Sequence, residues 1–410
     1  MLSQFRKYLP SIFNSGLGVV STFLLQIYIT NNVSSEIYGE FVYILSIAGI
    51  SAVLISLGLG MSQIREIPRL ISSQESKVFG FRNLMFFVWF CFSLFGFLAS
   101  FFINDLIYKR ILLVIPLMAL FSITNNSLKA FKKPAYANLA EPFAKNFLFI
   151  CFIFISIMLF GNLRLDTILL SYSISLICCI IFSYWLSWGK VLKKNSHPTY
   201  DTKLWIKVAL PMLFLASTYL IAQSTDVILI SNLMSSQAVA QYFVLFKLAS
   251  IILMFNGVIR MVIMPKISEL YAKNDFSKIS LNSQEVSLFS VIFGIIICII
   301  FFFLGDFILS FYGEDYVGVK NPLLVLSLFF TIVVSLGPND TILQMTSYER
   351  ETLYTYIFFA LLNIFLNFLL IQYIGITGAV IATGLAMITL TLITKYLVKK
   401  FLKIKTSFFY

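Results

Sequence analysis

The sequence predicts an all-α polytopic membrane protein: twelve transmembrane helices in two six-helix lobes, parallel repeats set around a central cavity. Three observations predict it. Uncharged apolar segments of about 18 or more residues recur along the chain, the length a helix needs to cross about 30 Å of hydrocarbon. Basic residues cluster on alternate connections between those segments, as the positive-inside rule requires. The chain also begins a second time. Leu210-Pro211 opens an apolar segment as Leu9-Pro10 does, and Ser235-Ser236-Gln237 breaks it as Ser34-Ser35-Glu36 breaks the first, both offset by 201 positions (211 minus 10, 235 minus 34).

Composition narrows the class. The chain is 59% hydrophobic, 12% charged and holds 44 Phe, more apolar surface than a soluble protein of this length can hide. The spans lack the alternation of a membrane β-barrel, and a backbone in lipid must satisfy its own hydrogen bonds, so they are helices. A net charge of +12 raises the question of nucleic acid. The basic residues sit in short loops instead, where they orient the protein in the bilayer, and no nucleic-acid partner is expected. Cys91, Cys151, Cys178, Cys179 and Cys298 all lie in apolar spans without zinc-ligand spacing, so they read as small buried residues, with no metal site and no cofactor.

Taken in order, the first six spans are 11–30, 39–61, 83–103, 111–130, 141–161 and 167–189. Arg6-Lys7 stands ahead of the first, but no small-residue cleavage site follows it, so the span is read as retained. A basic, polar stretch, KVLKKNSHPTYDTK at 190–203, then separates the lobes; Trp185, Trp188 and Trp205 flank it, where interfacial tryptophans are expected. The last six spans are 205–230, 238–263, 286–305, 322–342, 352–372 and 377–398. The division is thus 1–189 for the N-terminal lobe, 190–204 for a cytoplasmic linker, 205–398 for the C-terminal lobe and 399–410 for a basic cytoplasmic tail. With both termini in the cytoplasm, 25 of the 30 Lys and Arg fall on that side. Lys109, Arg110, Arg164 and Lys320 lie on the other, and Lys247 lies within the membrane. Six spans per lobe in one orientation make the repeats parallel. Asn125-Asn126 and Asn339-Asp340 correspond at an offset of 214, which implies an insertion near Phe311–Tyr316.

Ionisable residues inside a membrane mark functional sites by default. Lys247 stands nine residues into span 8, roughly 14 Å deep at 1.5 Å per residue. Asp226 is near the outer end of span 7, and the adjacent helices would let the two meet. An ion pair or a snorkelling lysine is the structural reading; a cationic site for an anionic substrate, or an ion-coupling group, is the functional one. Asn14, Gly18, Thr22 and Gln26 recur every four residues along one face of span 1, and Tyr219, Gln223 and Asp226, spaced four and three apart, share a face of span 7. These stripes line a shared cavity or glue helices together. Arg260 falls on the opposite side of span 8 from Lys247 unless the helix bends, as at Gly257, and reads as an interfacial anchor. Glu141 and Lys145 form an i,i+4 pair, and Arg65 ends span 2 as a second anchor or a guard of the inner mouth. His197, the only histidine, precedes Pro198 in the polar linker, and no phosphate-binding glycine loop is present. Catalytic constellations are missing, so the chain reads as a transporter and not an enzyme.

At Leu361–Thr383, LLNIFLNFLLIQYIGITGAVIAT resembles the motif in span 11 and the start of span 12 of polysaccharide transporters in the multidrug/oligosaccharidyl-lipid/polysaccharide (MOP) superfamily. Asn363, Asn367, Gly375, Gly378, Ala379, Ala382 and Thr383 carry the match. Glycines at a tight turn and small residues at a helix seam give it a physical meaning. Ser35, Tyr38 and Gly39 in NVSSEIYGEF, with SSQAVAQYF after span 7, are similar to the same family. The resemblance implies a MATE-like fold with spans 1, 2, 7 and 8 facing a central cavity. It implies an O-antigen flippase, which moves an undecaprenyl-pyrophosphate-linked oligosaccharide across the bacterial inner membrane, with H+ or Na+ as coupling ion. The expected companions are the lipid bilayer, a polysaccharide polymerase and a chain-length regulator. A drug/cation antiporter of the same superfamily is the alternative. A membrane polymerase or ligase would need a larger external loop than Asp306–Lys320.

Overall fold

The computed structural model describes residues 2–73, 75–189, 197–346 and 348–407; side chains at 1–13, 15, 72–75, 211, 214–216, 219, 222, 223, 261, 262, 265 and 349 lie outside the description as well. The described chain is built of helices joined by turns and short irregular segments, with no strand among the described residues. Its contacts divide it into two units, Met1–Ser224 and Thr225–Tyr410.

The first unit opens with α1 (Leu2–Thr30), α2 (Ser35–Ile55), α3 (Leu59–Ser73), α4 (Glu75–Ser100) and α5 (Leu106–Ala130). A broken helix follows: α6 (Pro134–Asn138), a π-helical turn (Leu139–Ala144) and α7 (Lys145–Phe160). Next come α8 (Leu165–Ser187) and α9 (Thr202–Leu233), whose last residues belong to the second unit. That unit continues with α10 (Ser236–Ala249), α11 (Ile251–Ala272), α12 (Phe276–Ser310), a 3-10 turn (Glu314–Val319), α13 (Lys320–Ser335), α14 (Asn339–Met345) and α15 (Glu349–Leu402).

Each of the twelve expected spans falls on one of these helices or on a broken one. Among the described residues eight helices are long and apolar enough to cross a membrane, nine if the bent α10–α11 pair is one span. One of the eight, within α15, holds two expected spans. Its arms meet at Ile374 and Gly375, the latter at φ 57° and ψ −135°. The chain is a multi-pass membrane protein.

The repeat landmarks have a local cause. Ser34 caps α2 by accepting from the Ile37 amide, and Ser235 caps α10 by accepting from the Ala238 amide. A serine oxygen satisfies one of the orphan donors of a new helix, so the same residue type starts the second helix of each repeat. Within each unit the equivalence also extends to contacts. Asn125 meets Glu141, and Asp340 meets Tyr356; both members are offset by 215 (340 minus 125, 356 minus 141), one more than the sequence landmarks imply.

Three expectations change. Span 2 is not continuous: Leu57 and Gly58, both at positive φ, separate α2 from α3, and Arg65 lies on α3. Trp188 and Trp205 are not interfacial. Both are fully buried, at 0% exposure, in a cluster with Leu59, Phe81, Met85 and Ile123. The Trp188 indole donates to Ser127 Oγ at 3.0 Å, and the Trp205 ring meets Phe81 edge-on at 5.2 Å; only Trp185 is exposed, at 69%. The polar ends of the linker give the reason. Thr199 binds Ser76 by backbone and hydroxyl, and Asp201 pairs with Lys77, so the chain after the linker is drawn over the start of α4 and carries Trp205 inward. Finally, the bend in span 8 is at Ser250 and not at Gly257. α10 and the following segment to Arg260 are inclined by 41°. Ser250 Oγ donates back to the Lys247 carbonyl at 2.7 Å, a bond that bends helices.

Candidate functional site

In the second unit the focus is Asp226. Its side chain is 1% exposed and takes three donors: the Tyr242 hydroxyl of α10, Thr383 Oγ1 at 2.7 Å and Asn367 Nδ2 at 2.7 Å. Asn363 Nδ2 reaches Thr383 Oγ1 at 3.5 Å and closes the ring. Asn367 is held by a second bond to the Asn363 carbonyl at 2.9 Å. The two arms of α15 supply these groups, and the turn at Gly375 folds Asn363 and Asn367 back beside Thr383. A carboxylate this deep survives only when hydrogen-bonded to its capacity. Yet Asn363 Oδ1 and Asn367 Oδ1 have no donor. A negative charge beside two unpaired amide oxygens, a hydroxyl and a phenol is an all-oxygen set, the chemistry that suits a hard cation.

Sequence reasoning singled out Asp226 and missed its partners. Asn363, Asn367 and Thr383 stood in the motif, but as markers of a turn and a helix seam. Their oxygens at one helical face were the available signal. Lys247 is not brought to Asp226. It lies in the last turn of α10, where exposed carbonyls favour a cation, half-buried with its Nζ 5.2 Å from the centre of the Phe243 ring. Tyr219 and Gln223 lie outside the described side chains.

Arg260 is no interfacial anchor. It pairs with Asp340, donates to Thr341 Oγ1 at 2.6 Å, and Asp340 takes a further bond from the Tyr356 hydroxyl at 3.0 Å. The bond ties α11 to α14 and α15. Arg260→Ala leaves Asp340 with Tyr356 alone, and we expect a cost of about 2–3 kcal/mol, less than for a fully buried pair because both groups keep some water. Thermal unfolding checks this, with Arg260→Met/Asp340→Leu recovering most of the loss. An unchanged Tm for Arg260→Ala alone removes the pair from the stability account.

In the first unit, Gly49, Ala52, Phe121, Asn125, Lys129, Glu141, Lys145 and Tyr172 line a cavity of about 220 Å³ with six further residues. The expected Glu141–Lys145 pair does not form. The Lys145 amide bonds to the Ala140 carbonyl, a π-helical bond one residue longer than the α-helical one, and this widened turn rotates the two side chains apart. Pro142, which lacks an N–H, sits inside the turn and deprives the α-helical ladder of a donor. Glu141 Oε2 instead accepts from Asn125 Nδ2 at 2.7 Å and lies 3.8 Å from Lys129 Nζ. Lys145 Nζ lies 5.8 Å from the centre of the Phe121 ring.

The span 1 stripe acts as helix-to-helix glue. Asn14 Nδ2 donates to the Ala135 carbonyl at 3.0 Å, and Thr22 Oγ1 accepts from Asn146 Nδ2 at 2.8 Å. Ser21, one position before Thr22, donates to the Pro142 carbonyl at 2.8 Å. Gln26 is buried with Oε1 unpaired. Arg65 stays exposed beside Glu66, at 3.6 Å. Among the described residues no three His, Cys, Asp or Glu groups gather as a metal site.

The family model for a polysaccharide biosynthesis protein matches residues 11–271, and the MatE model matches 211–369. Among curated protein sequences none matches. An inward-facing multidrug resistance MATE family transporter of the MOP superfamily superimposes with a TM-score of 0.76 at 12% identity, covering 94% of each chain. The inward closed lipid II flippase MurJ gives 0.69 at 18% identity, covering 95% of this chain and 87% of its own. A MOP superfamily transporter from Pyrococcus furiosus gives 0.62 at 12%, with 96% and 94% covered.

Proposed function

This chain belongs to the polysaccharide biosynthesis protein family and has the fold of the MOP superfamily transporters, and from that premise we propose that it is a flippase for lipid-linked oligosaccharides. Its cargo is an undecaprenyl-pyrophosphate-linked repeat unit of O-antigen or a similar surface polysaccharide, moved by alternating access across the bacterial inner membrane, with both termini in the cytoplasm. The observation that carries the reading is the family match over residues 11–271, on a fold that a lipid II flippase shares. The moving bodies are the six-helix lobes 1–189 and 205–398, joined by 190–204 and followed by the tail 399–410. The transport reading leaves no reaction for the chain to catalyse.

Asp226 with Tyr242, Asn363, Asn367 and Thr383 is the coupling site in this reading, and the ion is Na+ or H+. Support comes from a buried carboxylate whose nearest amide oxygens lack donors. Lys247, near the bend at Ser250, is assigned to the anionic cargo. A polymerase and a chain-length regulator take the cargo onward.

The test is translocation in proteoliposomes. Fluorescent undecaprenyl-pyrophosphate-linked oligosaccharide is supplied on one leaflet, with and without a Na+ or proton gradient. Protein-dependent arrival on the other leaflet is expected, faster with the gradient, and slowed about tenfold by Lys247→Ala at unchanged protein level. Because the MatE model matches 211–369, the second reading is a drug/cation antiporter. Gradient-driven efflux of a small organic cation without lipid movement would select it.

A further inference from the structure

The cavity of the first unit has a charge arrangement that the packing of the unit does not require. Three ionisable side chains line it: Lys129 on α5, Glu141 in the π-helical turn and Lys145 at the start of α7. Ordinary α-helical geometry would have joined Glu141 to Lys145 and cancelled both charges. The π-helical turn prevents this, and such turns are frequent at functional sites. Glu141 is shared between Asn125 and Lys129. Among the described residues Lys145 meets no carboxylate within ion-pair distance, only the Phe121 ring. A half-buried ammonium near an aromatic face at a cavity wall, with no carboxylate at ion-pair distance among the described residues, suits an anion.

The rest of the wall is not that of a simple anion hole. Glu141 keeps about half of its side chain exposed, and Ser122, Asn125 and Asn126 stand beside it. The Asn125 amide is oriented by its bond to the carboxylate, since only Nδ2 can donate there; its Oδ1 is buried with no donor. Phe121 and Tyr172 supply aromatic surface. A fully charged diphosphate next to a carboxylate is repelled, whereas hydroxyls donate to it. The volume is about 220 Å³. That is the scale of one sugar ring and not of a whole repeat unit.

We propose that this cavity is a subsite for a single acidic sugar of the cargo, its carboxylate on Lys145 and Lys129 and its ring hydroxyls on Glu141, Asn126 and Ser122. The inference rests on the flippase reading and adds the chemical class that the flippase selects. The anionic group has two sources in such a lipid, a sugar carboxylate or the pyrophosphate headgroup, and the wall favours the first.

Binding to the purified protein in nanodiscs tests it, by saturation-transfer NMR and calorimetry with methyl glucuronide, methyl glucoside and inorganic pyrophosphate as probes. The glucuronide should bind at least tenfold more tightly than the glucoside. Lys145→Ala should erase that difference without weakening the glucoside, and Lys145→Arg should keep most of it. Glu141→Gln should weaken both sugars and leave Tm within a few degrees. Equal affinity for the two sugars, or pyrophosphate binding at the cavity as tightly as the glucuronide, overturns the proposal. Proteoliposomes that move a neutral lipid-linked oligosaccharide while the glucuronide fails to bind sink the subsite alone. Glucuronide binding without any lipid movement sinks the flippase reading alone.

Discussion

Asp226→Asn is expected to abolish gradient-driven transport, by at least 100-fold, while the protein stays folded. The carboxylate accepts from Tyr242 and Thr383 on one oxygen and from Asn367 on the other. An asparagine keeps the first oxygen as acceptor and turns its own amide toward Asn367. Two N–H groups would then oppose each other, but Asn367 carries an unpaired Oδ1 and relieves the clash by rotating. That rotation surrenders the bond to the Asn363 carbonyl, a loss of about 1 kcal/mol, which a protein of this size tolerates. The charge is lost entirely, and with it the affinity for a cation. If Na+ is the ion, sodium in place of choline raises the Tm of the parent protein, since a ligand present at 100 times its Kd stabilises by about 2.7 kcal/mol. Asp226→Asn should show no such rise. An equal sodium response in both proteins would move the ion elsewhere, and unimpaired transport by Asp226→Asn would remove the carboxylate from coupling altogether.

The second large effect is at the turn that assembles this cluster. A Cβ at Gly378 would lie 2.2 Å from the Leu370 carbonyl oxygen and 2.8 Å from the Ile371 amide nitrogen. Both belong to the backbone of the opposite arm of α15, so no side chain can move aside. Gly375 carries a backbone conformation, φ 57° with ψ −135°, that an L side chain resists at a cost of about 1–3 kcal/mol. Gly378→Ala must therefore splay the arms, at about 3 kcal/mol or more. Because one arm holds Asn363 and Asn367 and the other Thr383, the splay also takes apart the hydrogen bonds on Asp226. The expected result is a lower Tm together with lost coupling, in contrast with Asp226→Asn, which loses coupling alone. A Gly378→Ala protein with the parent Tm would show that the two arms do not pack as closely as described.

The difference between these variants reflects what could be read from the chain alone. Twelve spans, the duplicated halves and the tight turn before span 12 were legible because each has a local cause. Apolar length against bilayer thickness, a serine at a helix start and a glycine at a reversal act within a few residues of themselves. Asp226 was legible as an anomaly, a charge in an apolar run, but its partners were not. Tyr242, Asn367 and Thr383 lie 16, 141 and 157 positions away, and which helix faces meet is decided by packing. Glu141 and Lys145 show the same limit over four residues: spacing alone joins them, and one π-helical bond parts them. Trp188 and Trp205, polar-edged and next to a basic linker, had the composition of interfacial residues, and the strap of Thr199 and Asp201 on α4 buried them. Burial of apolar length is a property of a segment by itself, so the sequence determined the spans. A hydrogen bond or ion pair needs two faces brought within about 3 Å, so only the tertiary structure decided the site.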